Sequence, residues 1–316
     1  MLVVVVYAPP LLASLGPACL TPGLQSLDSL GRGRTDKSST NHDYLVTYAK
    51  VLEHMRQTAR HVMEVGVFYG GSLTMWRDYF PNAFIVGVDP FSGKLGHGTS
   101  FQNHTAFLQR WQSQEVGPRI RLVQADQSKP SDLERLASCL ADETCFRASS
   151  YSARSVPSRL ESGWFDLIVD DGSHKNRDQL LTMAYLIPLV KPGGVYIIED
   201  IHTSLQTRYD EKPLSPHTAF MTLSRFLNGS GLTSKHLDQT QIRTIETFVR
   251  GCQNVVPWRG RSITSMTCIC FRHGATASSE MLTKPVSVLE QIYASGETRL
   301  GKGYVRPTRN AARSCL

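Results

Sequence analysis

Acidic side chains and a histidine stand in two short runs, each of which follows a hydrophobic stretch. The first run is Asp170-Asp171-Gly-Ser-His174, and the second is Glu199-Asp200. If the two stretches form adjacent strands, Asp171, Glu199 and Asp200 lie close together, and their carboxylates repel one another unless a cation neutralises them. Oxygen ligands favour Mg²⁺, or a similar ion such as Mn²⁺, over zinc. The sequence therefore predicts a divalent metal site.

A metal beside a histidine indicates chemistry at a hydroxyl group. A divalent ion bound to an alcohol oxygen lowers the pKa of the hydroxyl, and a nearby base can then remove the proton. His174 is the predicted base, because an imidazole with a pKa near 6.5 can accept a proton at neutral pH. We expect His202, which follows the second run, to be an ordinary loop histidine.

A glycine-rich turn at residues 64–72 follows a predicted strand and opens a predicted helix, as in nucleotide-binding sites. A dinucleotide site needs a second glycine that admits a pyrophosphate, but Phe68 stands there. This pattern favours S-adenosylmethionine (SAM), which has no pyrophosphate, over NAD. The turn residues predicted to bind the cofactor are Glu64, Gly66, Gly70 and Ser72.

Polar residues at the ends of the following strands complete the predicted cofactor site. Asp89 is placed to accept both ribose hydroxyls, which need a bidentate acceptor. Asp126 and Gln127 are placed to reach the adenine amino group, and Asp170 is also predicted to bind the cofactor. The alternative for each single residue is a helix cap or a turn.

Hydrophobic runs that alternate with helical patterns predict an α/β fold: a Rossmann-like, mostly parallel sheet with helices on both faces and a C-terminal antiparallel hairpin. The predicted strands are 62–65, 83–88, 120–124, 165–169, 195–198, 242–249 and 265–271. The predicted helices begin near residue 44 and continue with 73–79, 101–111, 133–140, 179–190 and 218–227. Residues 191–194 are predicted to form a turn. Parallel sheets of this type bind ligands at the carboxyl ends of their strands.

The 316 residues, 41% of them hydrophobic, suffice for one large domain. We expect a disordered or targeting lead-in at 1–34 and a catalytic domain at 35–274. A Ser- and Arg-rich surface insertion is predicted at 144–163, and a basic tail with one short helix at 275–316. Asn41 and Asp43 are the candidate caps of the first helix of the domain.

The net charge of +7 is concentrated in the insertion and the tail, without the interleaved aromatic residues of a nucleic-acid surface. We expect no nucleic-acid partner and no stable membrane span. The seven cysteines include no CxxC pair, so we expect no structural zinc site. Their odd number and the lack of a disulfide framework indicate a reducing compartment, and Cys268 and Cys270 are predicted to be packed thiols. A cytoplasmic location follows, with a signal or transit segment at residues 1–20 as the alternative.

Residues 33–272 resemble the metal-dependent sugar O-methyltransferases of natural-product biosynthesis, and cephalosporin-hydroxylase-like proteins are similar relatives. The motifs that carry the resemblance are Thr35-Asp-Lys37 with His42 and Tyr44, the turn at 64–72, Asp126-Gln-Ser128, the run at 170–174, and 191–204. The resemblance implies a class I methyltransferase fold, Mg²⁺ held by Asp171, Glu199 and Asp200, and His174 as base. It also implies that the Thr35–Lys37 stretch belongs to an N-terminal lid.

The predicted activity is therefore SAM- and Mg²⁺-dependent methylation of a hydroxyl on a small molecule, such as a sugar of a glycosylated natural product. Two alternatives remain open. The first is a catechol-type O-methyltransferase, although those enzymes usually have Lys where His174 stands. The second is a non-catalytic SAM-binding protein. The oligomeric state is also open, and a homo-oligomer is one of the alternatives.

Overall fold

A computed structural model describes residues 25–92, 119–141, 163–227, 229–255 and 265–272. Its helices are α1 Leu27–Gly31, α2 Tyr44–Leu52, α3 Gly71–Tyr79, α4 Pro130–Ala141, α5 Asn176–Leu186, α6 Ala219–Leu227 and α7 Gln239–Phe248. Its strands are β1 His61–Val65, β2 Phe84–Asp89, β3 Ile120–Gln124, β4 Phe165–Asp170, β5 Val190–Ile198, β6 Val249–Val255 and β7 Thr267–Arg272. Short 3₁₀ helices span Glu53–Met55, Ile187–Leu189 and Ile201–Leu205.

The strands form one sheet in the order β3-β2-β1-β4-β5-β7-β6. β1 to β5 pair in parallel, whereas β7 runs antiparallel to both β5 and β6. The predicted α/β fold with a C-terminal antiparallel hairpin is confirmed. Val65 pairs with Asp170, and Asp170 pairs with Ile198, so the ends of β1, β4 and β5 are level. This edge is where the predicted site residues meet.

The sheet separates two hydrophobic clusters, because successive residues of a strand point to opposite faces. Met63, Ile168 and Ile198 face the cluster that contains residues of α4 to α7. Val62 and Leu167 face the cluster that contains residues of α1, α2 and α3. Full burial of such a side chain contributes about 1.5–3 kcal/mol, so packing on both faces holds the central strands, and hence the site edge, in place.

An ordered N-terminal segment, residues 25–52, packs on the second cluster. Leu27 and Leu30 of α1 are buried there, and Ser26 caps the helix by accepting a hydrogen bond from the Ser29 amide. The predicted lead-in at 1–34 is therefore wrong from residue 25 onward. A single turn of helix has too little periodicity to be recognised, and its stability comes from the buried leucines.

The C-terminal part corrects two further predictions. Residues 239–248 form a helix where a strand was expected over 242–249. Asp238 and Gln241 form a capping box at its start, and Ile242 and Ile245 provide the buried face. The residues predicted as a turn at 191–194 lie within β5. They form an irregularity there, because Phe165 pairs with Val190 whereas Leu167 pairs with Val195.

The cysteines differ from expectation. Cys252 on β6 lies opposite Cys270 on β7, and the two form a disulfide. Cys268 is a buried free thiol, 3.7 Å from the sulfur of Cys270. Cys139 is also disulfide-bonded. The prediction of two packed thiols is therefore wrong for Cys270, and the inference of a reducing compartment loses its basis, because disulfides persist in oxidising compartments.

Some predictions fall outside the described residues: the helix at 101–111, the insertion at 144–163, the helical pattern within 275–316 and the segment 1–20. Within the part of the chain that the structure describes, no helix is long and apolar enough to cross a bilayer.

Candidate active site

The acidic runs lie side by side at the carboxyl edge of the sheet. The Asp171 amide donates to the Val65 carbonyl at 2.8 Å, and the Glu199 amide donates to the Asp170 carbonyl at 2.9 Å. The ladder of strand hydrogen bonds thus continues beyond β4 and β5 into the runs. The predicted proximity of the carboxylates follows from this register.

A lysine of the N-terminal segment lies among these acids. The Lys37 ammonium donates to Asp171 and to Glu199 Oε2, the latter at 3.0 Å, and lies 3.3 Å from Glu64 Oε1. Burial alone would lower the pKa of Lys37, but Asp171, Glu199 and Glu64 together raise it well above the usual value. The side chain is therefore a buried, protonated cation. We call Lys37, Glu64, Asp171, Glu199 and Asp200 the charged cluster.

The carboxylates of the charged cluster form a deep half, Glu64 and Glu199, and an outer half, Asp171 and Asp200, which differ in exposure. The side chains of Glu64 and Glu199 are 0% and 2% exposed, whereas those of Asp171 and Asp200 are 22% and 19% exposed. Burial raises the pKa of Glu64, Asp171 and Glu199, and Lys37 opposes that effect. A ligand from solvent therefore reaches the two aspartates more readily than the two glutamates.

Asp200 is held in the ionised form by polar neighbours. Tyr44 donates to Asp200 Oδ1 at 2.6 Å, and His174 Nε2 lies 3.7 Å from Asp200 Oδ2. Burial would raise the pKa of Asp200, but His174, His202, His42 and the hydrogen bond from Tyr44 lower it to about 2. Asp200 thus carries its negative charge throughout the neutral pH range.

The outer half of the charged cluster has the ligand atoms that a divalent ion needs. One ligand atom each from Asp171, His174 and Asp200 lie within 4.8 Å of one another. Glu199 is not part of this group, but its buried Oε1 has no hydrogen-bond partner among the described residues. Carboxylate oxygens suit Mg²⁺ or Mn²⁺, and the imidazole of His174 beside them is the predicted base. The residues fit a divalent ion, and the predicted ligand set of Asp171, Glu199 and Asp200 stays a prediction.

His174 has a strained backbone that turns its ring toward Asp200. Its φ of 57° lies in the left-handed region, as does the φ of 53° at Asp200. The Thr203 hydroxyl donates to the His174 carbonyl at 2.9 Å and holds this conformation. Strain of this kind costs about 1–3 kcal/mol and is concentrated at functional sites. Burial lowers the pKa of His202 to about 4, so that ring is neutral.

The glycine-rich turn packs against the charged cluster. Glu64 accepts a hydrogen bond from the Ser72 hydroxyl at 2.6 Å, so two predicted cofactor residues bind each other. Gly66 has a φ of 94°, and a Cβ there would overlap the Asp171 carbonyl. Gly70 has a φ of 72° and caps α3. The glycines are thus required by turn geometry and by close backbone approach.

Asp89 is placed where a ribose acceptor is expected. Its Oδ2 accepts from the Val67 amide at 3.0 Å, and its Oδ1 accepts from the Phe91 amide at 2.7 Å. A carboxylate has about four lone-pair sites, so each oxygen keeps one for a further donor. The residue therefore fits a ribose with two adjacent hydroxyls.

The remaining predicted cofactor residues have partners within the protein. Asp126 accepts from the amide and the hydroxyl of Ser128, as a turn residue does. Gln127 is buried and donates to Asp170 at 3.1 Å and to Thr182 at 3.0 Å. Burial raises the pKa of Asp170 to about 8. The geometry makes Gln127 and Asp170 supports of the loop beneath the site, and their cofactor contact stays a prediction.

Sequence reasoning did not include Lys37 and Tyr44 among the site residues. Both belong to motifs of the family resemblance, but Tyr44 is also a buried residue of α2, and its helical pattern accounts for it without a site. The available indication was the Thr35-Asp-Lys37 motif of the family resemblance. The burial of Lys37, which in proteins requires an ionic partner, is visible only in the structure.

A comparison with protein families indicates the type of domain. Residues 63–201, which contain the turn, Asp89 and both acidic runs, match the family described as Methyltransferase domain. This segment of the chain is thus similar to methyltransferase domains. The match ends at Ile201, directly after the Glu199-Asp200 run.

Curated relatives are similar to this segment and its surroundings. An 8-demethyl-8-alpha-L-rhamnosyl tetracenomycin-C 2'-O-methyltransferase of Streptomyces olivaceus is 30% identical over 219 residues, 66% of this chain and 46% of the relative. The Mycinamicin VI 2''-O-methyltransferase of Micromonospora griseorubida is 30% identical over 190 residues, 58% of this chain and 37% of the relative. The chain thus matches less than half the length of either relative.

The fold also has a solved counterpart. The MycE methyltransferase, in complex with Mg, SAH and Mycinamycin VI, superposes with a TM-score of 0.52 at 21% identity. The match covers 80% of this chain and 57% of the MycE chain. At this identity the likeness shows a shared fold, and it confirms the predicted class I methyltransferase architecture.

Proposed function

We propose that this domain catalyses SAM- and Mg²⁺-dependent O-methylation of a small-molecule hydroxyl, on a sugar of a glycosylated natural product. Two relatives, a rhamnosyl tetracenomycin 2'-O-methyltransferase and a Mycinamicin VI 2''-O-methyltransferase, support this acceptor class. The MycE complex with Mg and SAH supports the metal and the cofactor. Because the chain matches only part of each relative, the activity of the whole protein is a proposal.

The observation that carries the proposal is the grouping of Asp171, His174 and Asp200 within 4.8 Å. Two carboxylates and an imidazole at one edge of a class I methyltransferase sheet combine a metal site with a base. In our assignment Asp171, Glu199 and Asp200 hold the metal. Asp89 binds the ribose of SAM, and residues 64–72 shape the cofactor pocket.

Bound at Asp171, Glu199 and Asp200, a divalent ion would lower the pKa of the acceptor hydroxyl. The proton passes to Nε2 of His174, the nitrogen that faces Asp200. The acceptor oxygen forms a bond to the methyl carbon of SAM as the carbon–sulfur bond breaks. The electron pair of that bond stays on sulfur and converts the sulfonium to the neutral thioether of S-adenosylhomocysteine. Asp200 stabilises the imidazolium until the proton leaves to solvent.

The proposal includes a small-molecule acceptor and no nucleic-acid partner. The cytoplasmic location stays a prediction from the sequence, and the Cys252–Cys270 disulfide is the observation against it. Assembly as a homo-oligomer is left to measurement by sedimentation. A steep loss of RNA affinity with added salt would indicate a phosphate-binding face and contradict the predicted absence of a nucleic-acid partner.

Three variants test the proposed function. Titration calorimetry should show SAM binding to the unaltered protein and much weaker binding to Asp89→Ala, which lacks the ribose acceptor. Turnover of a deoxysugar glycoside panel should stop with EDTA and in Asp171→Ala. His174→Ala should keep SAM and Mn²⁺ affinity and lose turnover, because only the proton acceptor is removed.

His54→Gln is the control for His174, because His54 is an exposed histidine with no role in the proposed reaction. It should keep turnover. Equal SAM affinity after Asp89→Ala would contradict the cofactor site, and activity that survives both EDTA and Asp171→Ala would contradict the metal. Turnover of a vicinal diphenol but of no sugar would favour a catechol-type enzyme.

A further inference from the structure

Lys37 is a cation built into the charged cluster. Its ammonium has three N–H groups and meets three carboxylates, those of Asp171, Glu199 and Glu64. The lysine side chain is 1% exposed, so water does not screen these contacts. A buried ammonium is stable only when it is paired in this way.

The position of Lys37 divides the charged cluster. The deep half, Glu64 and Glu199, is buried and faces the ammonium. The outer half, Asp171 and Asp200, is partly exposed and belongs to the group that fits a divalent ion. Asp171 and Glu199 both accept from Lys37 and are both ligands in the proposed metal site, Glu199 through the Oε1 that has no hydrogen-bond partner among the described residues. The charged cluster contains four carboxylates and one ammonium, so the lysine neutralises only part of the negative charge.

The N-terminal segment fixes the ammonium in place. The Lys37 carbonyl accepts from the Leu45 amide at 3.1 Å, which ties the lysine to α2. In the same helix, Tyr44 binds Asp200 Oδ1 and the Met266 backbone. Gly71 lets the Arg34 carbonyl approach α3 closely. Lys37 is therefore held over the cluster by backbone contacts as well as by its own charge.

We propose that Lys37 is the resident cation of the charged cluster, which neutralises its deep half and sets the metal affinity of its outer half. This inference rests on the metal site of the proposed function. An ammonium in contact with Asp171 opposes a divalent ion at the same carboxylate, because like charges a few ångströms apart repel strongly in a buried site. Lys37 touches no reacting atom in this assignment and is a positioning residue.

The test measures Mn²⁺ binding by electron paramagnetic resonance, and thermal unfolding in EDTA, for the unaltered protein and Lys37→Met. Lys37→Met should bind Mn²⁺ at least about tenfold more tightly, a factor equal to about 1.4 kcal/mol, because the opposing charge is gone. Its melting temperature in EDTA should fall, because buried glutamates lose their counter-ion. Added Mn²⁺ should raise that temperature more than it does in the unaltered protein.

Lys191→Met is the matched control. Lys191 pairs with Asp166 at 2.9 Å near the opposite end of β5, so its loss should leave Mn²⁺ affinity unchanged. A residue that only aligns the ligands would give the reverse result, because misaligned ligands bind a metal more weakly. Equal or weaker Mn²⁺ binding by Lys37→Met therefore overturns the proposal for the outer half. An unchanged melting temperature in EDTA overturns it for the deep half.

If Lys37→Met does not fold, Glu64→Gln provides a second comparison. The double variant Lys37→Met with Glu64→Gln loses one positive and one negative charge, so the cluster keeps its net charge. It should bind Mn²⁺ more tightly than Glu64→Gln alone, and equal or weaker binding overturns the proposal. Failure of the unaltered protein to bind Mn²⁺ refutes the metal of the proposed function and, with it, the outer half. The melting temperatures in EDTA still decide the deep half.

Discussion

The hydroxyl of Tyr44 joins the N-terminal segment to Asp200, which follows β5, and to Met266, which directly precedes β7, and Tyr44→Phe removes that connection alone. The hydroxyl donates to Asp200 Oδ1 at 2.6 Å and accepts from the Met266 amide at 3.1 Å. The ring is fully buried, and phenylalanine fills the same space. The substitution therefore changes hydrogen bonding with little change in packing.

The expected loss of stability follows from the two partners. A hydrogen bond to a charged group contributes about 1.5–3 kcal/mol, and a buried amide left without an acceptor costs about 1–3 kcal/mol. We expect Tyr44→Phe to lower the free energy of unfolding by about 3 kcal/mol. Tyr48→Phe is the matched control: its hydroxyl binds Thr267 Oγ1 at 3.1 Å, and Thr267 keeps a hydrogen bond to the Ile198 carbonyl at 2.9 Å. That change should cost about 1 kcal/mol.

Urea unfolding in EDTA, followed by tryptophan fluorescence and circular dichroism, measures the difference. A gap of about 2 kcal/mol between the variants corresponds to midpoints about 1 M apart at the usual urea dependence. Equal midpoints would refute the reasoning, because they would mean that the Asp200 and Met266 contacts contribute no more than an ordinary hydroxyl pair.

Two further predictions concern stability away from the charged cluster. Burial lowers the pKa of His61 to about 4. The unfolded chain therefore binds more protons between about pH 6.5 and 4, and the fold loses up to about 3 kcal/mol as the pH falls through that range. His61→Phe, which keeps the stacking on Trp164, should show a flatter dependence of the urea midpoint, and an unchanged dependence contradicts the assignment. Gly71→Ala should cost about 2–3 kcal/mol, because its Cβ would overlap the Arg34 carbonyl. Gly33→Ala, with a φ of 73° and no atom within 4 Å, should cost only about 1 kcal/mol in the same assay; a larger loss for Gly33→Ala contradicts this account.

The sheet was predictable because its strands have continuous apolar runs bounded by turns. β1 to β4 lie within a residue or two of their predicted positions. The segment 242–249 was mistaken for a strand because it is rich in β-branched residues. The spacing of Ile242 and Ile245 and the Asp238–Gln241 capping box are the features that indicate a helix. The short α1 was missed because one turn of helix has no stability without its tertiary contacts.

The sequence by itself determined the order of strands and helices and the acidic runs at their ends, because both are local patterns. Parallel strands then bring Asp171 and Asp200 to the carboxyl edge of the sheet, regardless of the conformation of the connecting loops. Only the tertiary structure decided what neutralises the deep acids. Lys37 lies far from Glu199 along the chain, and its contact depends on how the N-terminal segment folds over the sheet. Tertiary packing likewise turned Gln127 inward and placed His174 opposite Asp200, because these contacts join residues from different loops.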